Sequence, residues 1–75
     1  MPDPVELLEW VAAWYAAQIR QERCAGRVDR ARVDELTAAW RAAARDRRAL
    51  MTAGPAQAAA IEARYVALYR ALGGP

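Results

Sequence analysis

Where glycine and proline fall constrains this chain more than anything else in it. Within 75 residues the four glycines stand at 26, 54, 73 and 74, and the four prolines at 2, 4, 55 and 75. The stretches 5–25, 27–53 and 56–72 contain neither residue. Proline lacks an amide donor and restricts the residue before it, and glycine is entropically costly inside a helix. Long uninterrupted runs between such breaks therefore read as helices joined by short connections. The runs are rich in alanine, the best helix former, which reinforces the reading.

The caps set the boundaries. Asp3 suits an N-cap, Pro4 the first helical position, and Glu6 the acidic position of a capping box. This helix is expected to run over about 4–25, with Gly26 as its stop. Asp29 opens a second helix over about 30–52, with Val28 and Val33 placed as a hydrophobic staple. Gly54-Pro55 breaks the chain, and Pro55 opens a third helix over about 55–72 that ends at Gly73-Gly74-Pro75. Short connections make neighbouring helices antiparallel. The predicted fold is all-α, an antiparallel three-helix bundle in one domain over 1–75, with self-association as the other way to complete it.

Projection at about 100° per residue assigns the faces. In the third helix Ala58, Ile61, Tyr65, Leu68, Tyr69 and Leu72 share a stripe. In the second, Val33, Leu36, Trp40, Ala43, Ala44, Leu50 and Met51 share one, and Arg47 falls inside it. A charge there must snorkel, pair with an acid such as Glu62 or one in the first helix, or face a partner. Ala31, Ala38, Ala42 and Ala49 form a row of small residues along another edge. The first helix is apolar over more than half its circumference. Val5, Leu8, Val11, Ala12, Tyr15 and Ile19 make one stripe, and Leu7, Trp10 and Trp14 a second beside it. Docking on one core needs only about 100°. Either this helix lies between the other two, or Leu7, Trp10 and Trp14 reach a partner, as tryptophans at binding hot spots do.

Charge is segregated. Residues 1–19 carry Asp3, Glu6 and Glu9 with no base; residues 20–48 carry nine arginines against five acids. There is no lysine. A GC-rich genome produces that bias without any site, so arginine alone does not signal recognition of a carboxylate or phosphate. Arg41, Arg45 and Arg48 share an outward face with Arg30, a stripe that could track phosphates. Asp34 lies on the same face and is spaced to pair with Arg30.

Much chemistry is excluded on residue grounds. Histidine and serine are absent, which removes the usual neutral-pH acid/base group and the commonest hydroxyl nucleophile. One cysteine and no histidine leave no metal-ligand spacing, and no glycine-rich phosphate loop occurs. No catalytic, cofactor-binding or metal-binding residue is assigned, and no enzyme or small-molecule substrate is expected. Cys24 is expected to be a partly buried small hydrophobe. No apolar run suits a membrane span, and the acidic start argues against a signal peptide, so the expected location is the cytoplasm. The expected function is a protein–protein interaction module, self-associating or not, acting as an adaptor or regulator through Leu7, Trp10, Trp14 and Arg47. A small bacterial or phage accessory protein would fit this description. The alternative is nucleic-acid binding through Arg30, Arg41, Arg45 and Arg48.

Overall fold

The computed structural model describes residues 1–75 and contains three helices: α1 (Pro4–Cys24), α2 (Arg30–Leu50) and α3 (Pro55–Ala71). They pack as an all-α three-helix bundle. The expected caps form at two starts. The Asp3 carboxylate accepts the Glu6 amide at 2.9 Å, and the Asp29 carboxylate accepts the Arg32 amide at 3.1 Å. Pro55 opens α3 behind Gly54.

The ends differ more. Gly26 does not close α1: the helix stops at Cys24, Ala25 is already extended, and Gly26 has no positive φ. Cys24 is exposed, not partly buried, because it lies on the last turn next to the loop. At the end of α3, Gly73 does take the left-handed conformation, with φ of 89°. The Gly74 amide bonds the Tyr69 carbonyl at 2.7 Å and the Gly73 amide bonds the Arg70 carbonyl at 3.3 Å, the paired pattern of a Schellman cap. The tail then folds over Tyr69, whose hydroxyl donates to the Pro75 carbonyl at 3.0 Å.

α1 is the central helix. It packs along α2 and against α3, while α2 and α3 barely approach one another. The molecule measures 45 × 24 × 14 Å. Three helices packed equilaterally, at axis separations of about 8–10 Å, would have nearly equal transverse dimensions. Here one is far larger than the other, because α1 lies between its neighbours. The wide apolar face of α1 is used inside the chain: Leu7 and Leu8 are adjacent in sequence, about 100° apart around the helix, and both are fully buried. Leu7 therefore belongs to the core and offers no contact surface.

The contiguous core joins Leu7, Leu8 and Val11 of α1, Ala43 of α2, and Ile61, Tyr65 and Tyr69 of α3. Trp10, Ala12, Tyr15, Ala49, Leu50, Val66, Leu68 and Leu72 pack around it. This core reaches no further than Tyr15 on α1 and Ala43 on α2. Beyond it, α1 and α2 continue as a two-helix arm in which Leu36 alone is buried. Two expected core members of α2 are exposed: Trp40 by 41% and Met51 by 80%. Neither has a helix over it, since α3 leans on α1. Of the row of small residues along α2, Ala31 and Ala38 are exposed as well, whereas Ala49 packs on the core beside the buried Ala43.

One polar junction ties α3 to α2. Asp46 Oδ2 accepts the Tyr65 hydroxyl at 2.6 Å and the Arg64 guanidinium at 3.0 Å. Burial and the neighbouring Asp46 carboxylate both push the Tyr65 phenol well above its ordinary range. An upward shift means that the folded state holds this proton more tightly than the unfolded chain does. The stabilisation is complete below the ordinary phenol value of about 10 and is lost as pH rises above it. Two outcomes are expected. Tyr65→Phe lowers unfolding free energy in urea by about 1.5–3 kcal/mol, as for a hydrogen bond to a charged group. In alkaline titration followed by phenolate absorbance, one of the three tyrosines ionises only as the helical circular dichroism is lost.

Candidate functional site

The seam between α1 and α2 carries the one surface that the core does not account for. The two helices run antiparallel, so residues whose numbers sum to a nearly constant value face each other. Arg47 lies opposite Glu9, and its guanidinium donates to Glu9 Oε1 at 2.8 Å. Glu9 is thus the acid that answers the charge within the apolar stripe of α2. Both side chains remain 53% exposed, so Arg47 snorkels to the rim and pairs there. Such a pair contributes under about 1 kcal/mol and is weakened by salt.

Two shallow grooves open along this seam and share Trp40 as a wall. One, of about 350 Å³, is lined by Ala16, Ile19, Arg20, Arg23, Thr37, Trp40 and Arg41. The other, of about 330 Å³, is lined by Glu9, Ala12, Trp40, Ala43, Ala44, Arg47 and Arg48. Small side chains produce the grooves: Ala12 and Ala16 on α1 and Ala43 and Ala44 on α2 leave space that leucines would fill. Trp40 stands between them because no third helix covers α2 at that level.

Arginines border both grooves. Of the five in the lining only Arg47 has an acid; Arg20, Arg23, Arg41 and Arg48 are exposed and form no ion pair. Three acids of the neighbourhood are used elsewhere, while Glu22 and Asp34 form no ion pair. Glu35 pairs with Arg32 at 3.5 Å, Asp46 faces α3, and Asp29 caps α2. The expected pairing of Arg30 with Asp34 does not form, and Arg30 is exposed without a partner.

The residues singled out in the sequence are thereby redistributed. Leu7 is core. Trp10 meets Tyr69 edge-on, with ring centroids 4.7 Å apart, and packs on the core. Trp14 is half-buried against its neighbour Tyr15 at 5.3 Å, outside the contiguous core. Arg41 and Arg48 border the grooves on either side of Trp40, whereas Arg30 and Arg45 border neither. Helical periodicity puts Trp40 on the same face as Leu36 and Ala43, which are buried, yet Trp40 is 41% exposed. The available signal was the neighbouring arginines at 41, 47 and 48, which place the edge of that face near Trp40. No group of acidic, cysteine or histidine side chains could hold a metal ion, and no helix is long and apolar enough to cross a membrane.

Two of the three tryptophans give a direct check. Trp10→Ala removes an aromatic contact and core packing and is expected to cost about 2–4 kcal/mol. Trp40→Ala is expected to cost clearly less than Trp10→Ala, since about two-fifths of its surface is already exposed and it lies outside the core. Thermal and urea denaturation of the two variants distinguish them.

The chain matches no protein family, and no curated protein or solved structure is detectably similar to it.

Proposed function

We propose that this chain is a small, non-enzymatic protein–protein interaction module, an adaptor or regulator, whose contact surface is the α1–α2 seam centred on Trp40. The observation that carries the reading is Trp40 itself. It is a large aromatic left 41% exposed between two apolar-floored grooves. A tryptophan exposed in that setting is the residue type most enriched where binding energy concentrates, and the grooves beside it are places for partner side chains. The hairpin presents the surface on helices already formed, so less ordering entropy opposes binding than for a disordered loop. The contact surface thus moves from the Leu7–Trp10–Trp14 stripe of α1, which is largely spent inside the chain, to the seam.

Nucleic-acid binding is the second reading. The exposure of Arg30, Arg41, Arg45 and Arg48, none of them ion-paired, favours it. Phosphate contact would use these charges, and one aromatic could stack a base. The apolar floors of the grooves speak for side chains over bases, which is why protein stands first.

Affinity capture from nuclease-treated extract of the source cells, with the native chain and Trp40→Ala compared, tests the proposal. A protein retained in stoichiometric amount by the native chain and reduced about tenfold by the substitution is expected. Retention unaffected by Trp40→Ala contradicts it, as does a requirement for untreated extract and intact nucleic acid.

A further inference from the structure

We infer that the α1–α2 seam receives an acidic amphipathic helix of a different protein, which docks along the face of the hairpin that α3 leaves open, from the upper base into the arm. This rests on the interaction-module reading and specifies the partner of that site.

Three observations converge. The first is architecture. Over the base of the bundle the α1–α2 hairpin has α3 beside it and a contiguous core; over the arm it has nothing beside it, and the core is absent. Two antiparallel helices with a shallow seam of alanines are the usual seat for a third helix, whose larger side chains drop between them.

The second is dimension. The lining residues of α1 run from Glu9 to Arg23, a rise of about 21 Å, or roughly four turns. The grooves flank Trp40, one around Ala12 and Ala43, the other around Ala16 and Ile19. A helix laid along the seam would set apolar side chains into both, about two turns apart, with Trp40 packed between them.

The third is charge. Four arginines without acids, Arg20, Arg23, Arg41 and Arg48, border the seam, and the one carboxylate present, Glu9, is held by Arg47. The bordering residues of the partner helix must then be acidic, and a basic helix would be repelled. This chain offers no such helix to a second copy of itself. The exposed polar residues of α3 include Arg64 and Arg70 against Glu62, and α2 is predominantly basic. The exposed acids of α1, Asp3, Glu6 and Glu9, are confined to its start, where Asp3 is a cap and Glu9 is already paired. The occupant is accordingly another protein.

The test uses the full chain and three labelled probes followed by fluorescence anisotropy. One is a synthetic helical peptide of about 18 residues with leucines on one face and glutamates on the other. The second carries lysine at every glutamate, and the third is an oligothymidine of about 20 nucleotides. The acidic peptide is expected to bind with Kd of tens of micromolar or tighter, at least about tenfold better than the lysine peptide. Trp40→Ala and the double variant Arg20→Glu/Arg41→Glu should each weaken it about tenfold, and affinity should fall with added salt. Arg20→Gln/Arg41→Gln replaces the charge reversal if helicity drops. The inference is overturned by acidic-peptide binding absent at about 1 mM, equal to that of the lysine peptide, or indifferent to the seam variants. Tighter binding of the oligonucleotide overturns it in favour of nucleic acid. A stable dimer in light scattering that Trp40→Ala dissociates overturns it in favour of a second copy. A captured protein lost with Trp40→Ala, together with no acidic-peptide binding, leaves the interaction module standing and removes only the acidic helix.

Discussion

The burial of two consecutive leucines on α1 organises this molecule. Leu7 and Leu8 point about 100° apart and neither retains any exposure, so α1 must have a neighbour on each of two sides. That condition puts α1 in the middle. It also explains why α2 and α3, consecutive in the chain and joined by a short turn, hardly touch. α3 leans on the Leu7 to Tyr15 region of α1, where Ile61, Tyr65 and Tyr69 fill the core. The Asp46 carboxylate, accepting from both Tyr65 and Arg64, then supplies the link that packing between α2 and α3 does not.

A consequence follows for surface chemistry. α3 is offset toward the base: Tyr69, near its end, is level with Trp10, so the helix ends before the arm begins. The base acquires aromatics, a Schellman cap and a tail folded over Tyr69; the arm is left with isolated Leu36 and half-buried apolar groups. Trp40 sits where the core stops. It is large enough to wall two grooves, and the nearest residues of α1 across the seam, Ala12 and Ala16, are small, so it remains partly wet. The unpaired arginines collect there for a related reason. Asp29, Glu35 and Asp46 are committed to a cap, to Arg32 and to α3, and Glu22 and Asp34 pair with none of these arginines. Exposure, shape and charge at the seam are thus by-products of how the fold spends its other residues.

Much of this was legible in the residues. Glycine and proline placed the three helices to within two residues, and Asp3 and Asp29 cap where their positions require. The stripe on α3 buries as its spacing predicts. The breadth of the apolar face on α1 left two readings, a helix between two neighbours or one facing a partner, and the structure has the first; a first-helix acid does answer Arg47. What was not legible depends on tertiary offset. Helical periodicity assigns a residue to a face but not to a height along the bundle. Trp40 and Ala43 share a face, yet one is at the end of the core and the other inside it. Trp10 and Trp14 share a stripe, yet only Trp10 lies level with Tyr69. Gly26 resembled a cap by composition, but Ala25 turns the chain in extended conformation first, so no left-handed residue is needed.

The central claim is that a compact base holds the molecule together while the arm stands on two helices alone. Native-state amide hydrogen exchange tests it most directly, because local opening reports how much packing each segment must break. Slowest exchange is predicted at residues 8–15 of α1, 43–50 of α2 and 61–69 of α3, with clearly faster exchange at 17–24 and 31–38. Uniform protection along the whole α1–α2 hairpin, or an arm as slow as the base, would contradict the account.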